Sequence, residues 1–148
     1  MNIRIEVDMY FNDPQSHAWD ALVEAAWQGW EHAHAPYSKF HVGAALLRAG
    51  GGIVAGCNVE NAAYPSSLCA ERTAICAAVA QGMKPGELSA LVVVTEAPTL
   101  TPPCGACRQV LAEFADDLPI LLVNRHHRTL HSLADLLPHA FTVRNLNG

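Results

Sequence analysis

No apolar run in this sequence reaches the roughly 18 residues that would suggest a membrane span. Basic residues are scarce as well. Nine Lys and Arg stand against fourteen Asp and Glu, for a formal charge of −5. They are scattered from Arg4 to Arg144, and Arg125 and Arg128 around His126-His127 are the nearest thing to a cluster. Binding a phosphate backbone takes a dense positive surface that releases counterions. The balance therefore argues against a nucleic-acid partner and is compatible with a small, uncharged substrate. The stretch Met1 to Asp13 lacks the apolar core of a secretory signal, so a soluble, cytoplasmic protein with no membrane partner is expected. Internal repeats, low-complexity tracts and linkers are also missing.

With 51% apolar and 16% charged residues, the composition excludes a disordered chain. Its 148 residues suit a single domain over residues 1–148, and a chain of that size buries about 68–70% of its unfolded surface without disulfide staples. The five cysteines, Cys57, Cys69, Cys76, Cys104 and Cys107, are an odd number, which argues against a disulfide framework. In a reducing compartment, closely spaced cysteines more often bind metal or do chemistry.

Trp19, Leu22, Val23, Ala26, Trp27 and Trp30 recur with helical spacing, and Asn12-Asp13-Pro14 offers a cap. Val42–Leu47 and Ile53–Val59 predict a hairpin around Gly50-Gly51-Gly52. An Ala-rich helix follows over Cys69–Gln81, then a strand at Leu91–Val94, a helix over Cys104–Ala115, a strand at Ile120–Val123 and a short helix at Ser132–Leu137. This order describes an α/β sheet layered between helices. Alternation of Ile3, Ile5 and Val7 with charged residues admits an extra N-terminal strand or extension within residues 1–12.

Two segments carry chemistry: Cys69-Ala70-Glu71 and Pro103-Cys104-Gly105-Ala106-Cys107. Cys104 and Cys107, three apart at a helix start, can turn both sulfurs toward one point, and Cys69 can add a third. Three protein ligands and one open position are the pattern of a catalytic zinc, whereas structural zinc takes four. Cys76, seven residues along the helix from Cys69, is displaced by about 10 Å and is expected to be a small buried hydrophobe. Cys57 remains an alternative fourth ligand, with packing as its expected role. The excess negative charge of three thiolates is opposed by two helix N-termini, each worth roughly +0.5 charge, and by nearby Arg72. Glu71 lies two residues beyond the first ligand. It is either an ordinary acidic residue at a helix start or a proton carrier beside the metal.

The pattern H-x-E…P-C-x-x-C, with a three-cysteine variant, belongs to zinc nucleobase deaminases. More broadly, the chain resembles the small homotetrameric cytidine deaminases. The resemblance rests on Ala35-Pro36-Tyr37-Ser38-Lys39-Phe40, on Gly56 to Tyr64, on Cys69 to Ala74, on Pro103 to Gln109 and on Leu136 to Phe141. It implies a three-layer α/β/α fold with a five-stranded mixed sheet and one Zn2+ per subunit on Cys69, Cys104 and Cys107. It makes Glu71 the proton shuttle and Arg72 the partner of the ligand sulfurs. Asn58 and Glu60 would hold ribose hydroxyls, Phe40 would pack on the pyrimidine, and the backbone of Ala70 would meet the base edge. Tyr64 and Phe141 match residues that neighbouring subunits contribute, so a homotetramer with shared sites is implied. The expected reaction is deamination of cytidine and 2′-deoxycytidine in pyrimidine salvage. Alternatives are another aminopyrimidine nucleoside such as an antibiotic, editing of a polynucleotide, and a non-catalytic module built on structural zinc.

Overall fold

The computed structural model describes residues 10–147. The strand suggested around Ile3–Val7 lies outside them. Helix α1 (Asp20–Glu31) begins later than Asn12-Asp13-Pro14 would have it. A single 3-10 turn, His17–Trp19, precedes it, and the Ser16 side chain accepts the Ala18 amide to cap that turn. Asp13 instead receives the Trp19 indole N–H on its carbonyl at 3.1 Å, which pins the entry to the buried Trp19.

Strands β1 (Gly43–Arg48) and β2 (Ile53–Cys57) form the expected hairpin. Gly50 and Gly51 have φ of 94° and 100°, a region that costs a Cβ-bearing residue, so the tight turn draws on glycine. Helix α2 (Ala70–Ala80), β3 (Leu88–Val94), α3 (Gly105–Phe114) and β4 (Pro119–Val123) follow. A fifth strand, β5 (Arg128–Ser132), pairs antiparallel with β4. The short helices α4 (Leu133–Leu136) and α5 (Val143–Leu146) complete the described chain.

The five strands form one mixed sheet in the order β2-β1-β3-β4-β5. Strand alternation divides the core into two layers. Ala44, Leu46, Leu91, Val93, Ile120 and Leu122 face α2 and α3, packing with Ala74, Ile75, Ala78 and Leu111. Ala45, Val92, Val94, Leu121 and Val123 face α1, packing with Trp19, Leu22 and Ala26. Helices therefore cover both faces, as a three-layer α/β/α fold requires.

Strand directions position the site. β1 is antiparallel to both β2 and β3, so β2 and β3 run the same way, and β4 is parallel to β3. Helix α2 follows β2 and α3 follows β3. Both helices thus begin at the carboxyl ends of parallel strands, where open α/β sheets bind ligands.

Gly56 in β2 sets how closely α2 approaches. A Cβ there would lie 2.5 Å from the Ala70 carbonyl oxygen and 2.5 Å from the Ala74 nitrogen, while Gly29 of α1 abuts the Gly56 backbone from the other side. The Thr73 hydroxyl stitches the same seam. It accepts from the Cys57 amide at 3.0 Å and lies within 2.7 Å and 2.9 Å of the Cys57 and Ala70 carbonyls. Gly56→Ala is expected to destabilise the protein by about 3 kcal/mol, the upper end of ordinary overpacking, read as a lower urea midpoint with an unchanged slope.

Candidate active site

Cys69 is the N-cap of α2 and Cys104 the N-cap of α3, and neither spends its sulfur on a capping hydrogen bond. Cys107 sits in the first turn of α3 and is fully buried. The three sulfurs lie within 4.8 Å of one another, and those of Cys69 and Cys104 are 3.7 Å apart. In a tetrahedral zinc site with Zn–S near 2.3 Å, sulfurs are about 3.8 Å apart, and the Cys69–Cys104 pair already matches that spacing, so this donor set suits zinc.

The surroundings fit a bound cation with anionic ligands. An Arg72 Nη2–H donates to the Cys69 sulfur at 3.4 Å, and its Nε is buried without a hydrogen-bond partner. The Cys107 thiol beside it, with further help from Arg72 and Cys104, pushes the Cys69 thiol down to about 5 against the opposing effect of burial. Cys107 is pushed up, first by sharing its proton with Cys69 and then by burial. The Cys69 sulfur is thus the one most readily deprotonated of the coupled pair, and thiol ligands give up their protons when they bind metal.

Glu71 is 3% exposed and lines the same cavity. Burial pushes its carboxyl above the ordinary range, and the charge of Cys69 adds to this, while the Cys107 thiol and Arg72 partly oppose it. A carboxyl with a raised pKa in a cavity beside a metal site is suited to accept and return a proton.

The cavity holds about 540 Å³, within the usual range for small-molecule sites. Phe40, Asn58, Glu60, Tyr64, Ala70, Glu71 and Arg72 line it, together with Cys69 and Cys104. A larger groove of about 990 Å³ lies beside β5 and contains none of the cysteines. Its walls include Phe11, Asp116, Asp117, Leu130 and Arg144.

A family model described as the cytidine and deoxycytidylate deaminase zinc-binding region matches residues 17–121. The chain belongs to the cytidine and deoxycytidylate deaminase family. A cytidine deaminase of Sporosarcina psychrophila is 45% identical over 130 residues, covering 86% of this chain and 94% of that one. A second, from Halalkalibacterium halodurans, is 42% identical over 85% of this chain and 96% of its own. The crystal structure of cytidine deaminase from Burkholderia pseudomallei superposes with a TM-score of 0.80 at 48% identity, covering 86% of this chain and 100% of that one.

Within this deaminase site, Asn58 and Glu60 lie just beyond β2 and not on the longer strand expected through Val59. Their polar atoms brace the loop that carries Phe40. Asn58 accepts from the Val42 amide at 2.9 Å and donates to the Phe40 carbonyl at 2.7 Å. One Glu60 oxygen accepts from the Tyr37 and Ser38 amides at 3.0 and 3.1 Å. Hydrogen bonding from Ser38, then Tyr37, holds the Glu60 carboxyl below its usual range.

Phe141 does not line this cavity. It is 58% exposed, and its carbonyl accepts from Gln109 Nε2 at 2.8 Å. Cys57 is half-buried and outside the sulfur cluster. Cys76 is exposed, against the expectation of burial, because its position on α2 turns away from the sheet. Sequence reasoning gave no site role to Thr73, Thr101 or Pro102. The last two form cavity wall, and their adjacency to Pro103-Cys104 was the available signal.

Protein loaded with zinc and then passed through gel filtration is expected to retain stoichiometric metal in the wild type and in Cys57→Ser. Cys104→Ser is expected to lose it. Metal loss from Cys57→Ser would instead indicate a four-sulfur site.

Proposed function

We propose that this chain catalyses the zinc-dependent hydrolytic deamination of cytidine and 2′-deoxycytidine to uridine and 2′-deoxyuridine, releasing ammonia. The observation that carries this reading is the buried carboxyl of Glu71 in one cavity with Cys69 and Cys104, beside the three-sulfur cluster. The relatives named above, cytidine deaminases over nearly their whole length, support the choice of substrate.

Cys69, Cys104 and Cys107 would hold zinc, which would supply the Lewis-acid polarisation that lowers the pKa of water toward neutrality. The protein's own residues do the rest. Glu71 takes one proton from the water that attacks C4 of the base and gives it to ring N3. It then carries the proton remaining on the new hydroxyl to the amino group, which leaves as ammonia. One water is consumed, the C4–N bond breaks, and the product is the 4-oxo base protonated at N3. Arg72 offsets the excess charge of the thiolates through its contact with Cys69.

Substrate placement follows from the cavity wall. Phe40 offers an aromatic face to the pyrimidine, and the backbone of Ala70, at the first turn of α2, meets the base edge. Asn58 and Glu60 engage the ribose hydroxyls with the hydrogen-bonding capacity left over from bracing the Phe40 loop. Glu60 retains a second oxygen for this purpose. We extend the reading to a homotetramer in which Tyr64 and Phe141 complete neighbouring sites. Their exposure, 70% and 58%, supports it. A role in nucleoside salvage in the cytoplasm accords with a site built on reduced thiols.

Ultraviolet loss of cytidine tests the activity and is expected to require zinc, stopping when a chelator strips the metal. Glu71→Gln is expected to keep zinc and lose about 10²–10⁴-fold in kcat. Near-normal turnover in that zinc-loaded variant would remove Glu71 from the mechanism.

The same substitution has a stability signature in metal-free protein. A carboxyl whose pKa is raised by folding contributes its full stability only below the unfolded value, about 4.3, and loses it as pH rises through the folded value. Metal-free Glu71→Gln is therefore expected to match the wild type in Tm near pH 4 and to exceed it increasingly toward pH 8.

A further inference from the structure

The loop between β3 and α3, Glu96 to Pro103, supplies the Thr101–Pro102 wall of the cavity and ends at the ligand Cys104. Its position decides where that sulfur and that wall stand relative to Cys69 and Glu71, which are carried by a different helix. At its α3 end the loop is tied by Arg108, whose Nε donates to the Pro103 carbonyl at 2.7 Å. The Thr95 and Thr101 hydroxyls, 3.3 Å apart, close its base.

The opposite fastening comes from the corner between β4 and β5. Asn124 is 6% exposed, and its side-chain amide uses both ends. The oxygen accepts from the His126 and His127 amides at 2.9 and 2.8 Å, shaping the corner itself. The nitrogen donates across to the Ala97 and Pro98 carbonyls at 3.2 and 3.3 Å. Next to it, Arg125 donates twice to one Glu96 oxygen, at 3.0 and 2.7 Å, with its guanidinium 3.7 Å from the centre of the Trp27 ring. The Glu96–Arg125 pair is about half exposed, so the ion pair alone is worth little. The amide is the stronger fastening, because it is buried where the ion pair is not and spans the corner and the loop with all four of its hydrogen bonds.

We infer that Asn124 is a positioning residue for the active site: through Ala97 and Pro98 it fixes the β3–α3 loop, and with it the Thr101–Pro102 wall and the Cys104 ligand. It lines no part of the cavity. The inference rests on reading that cavity as a deaminase site, and one of its two readouts does not depend on turnover.

Two variants separate positioning from turn formation. Asn124→Asp keeps the acceptor for His126 and His127 but sets a carboxylate oxygen against the Ala97 and Pro98 carbonyls. Asn124→Ser keeps a hydroxyl acceptor suited to the same turn and removes the donors without adding charge. In zinc-loaded holoenzyme, both are expected to release zinc to a chromogenic chelator roughly tenfold faster than the wild type, the factor that accompanies loss of the hydrogen bonds fastening the loop. Both are also expected to raise KM for cytidine roughly tenfold while kcat changes less than threefold, because Glu71 stands on α2 and is not displaced. Release rates and KM within twofold of the wild type in either folded variant would reduce Asn124 to a turn residue and overturn the inference. Failure of both variants to fold would assign Asn124 to the stability of the corner and overturn it equally. Were the wild type to hold zinc yet leave cytidine unchanged, the substrate reading would fall, while the zinc-release comparison would still decide the role of Asn124.

Discussion

Everything in this structure depends on two helix N-termini meeting over the carboxyl ends of parallel strands. Cys69 caps one helix and Cys104 the other, so three sulfurs that repel one another as thiolates gather where backbone N–H groups point outward. The strand order makes this meeting obligatory. β1, inserted antiparallel between β2 and β3, leaves those two strands codirectional and lets α2 and α3 start on the same side. Without that insertion, the C-x-E and P-C-x-x-C segments would have no reason to be neighbours.

A second constraint is the burial of Glu71. A carboxyl enclosed at a helix start, among sulfurs that are themselves anionic when metal binds, is unfavourable for folding. The fold tolerates it through a core that is otherwise apolar. Of the residues buried in the described chain, only Glu71, Thr95 and Asn124 are polar or charged, cysteine aside. Thr95 and Asn124 both hold the loop that leads to Cys104. Buried polarity is thus spent at the site or on the segment that delivers it.

Much of this arrangement was legible in the sequence, for identifiable reasons. The continuous apolar runs ending at Val94 and Val123 are strands covered on both faces, and an apolar stretch of that kind has few other uses. The spacing of Cys104 and Cys107 named a shared ligand set because one helical turn separates them. Other features were hidden. In β5 only Leu130 is apolar, so pairing with β4, not side-chain pattern, makes it a strand. The cap of the 3-10 turn that leads into α1 went to Ser16 because that side chain reaches a free amide and Asp13 is occupied elsewhere. Asn58 and Glu60 could be read as pocket residues, but their support of the Phe40 loop depends on a chain reversal that brings residues 16 to 23 positions apart into contact. Asn124 is more distant still, 26 and 27 positions from the carbonyls it holds. No local pattern encodes such a bond.

The bare backbone seam at Gly56 has a mechanical consequence. With helix backbone on each face, and the one adjoining side chain, Thr73, held by hydrogen bonds to the Cys57 and Ala70 backbones, little at that point can change rotamer or leave a void. Hydrostatic compression unfolds proteins by eliminating internal empty space, so at this seam it finds little to act on. The strand there behaves as a stiff shim between two helices, and the first turn of α2 inherits that stiffness.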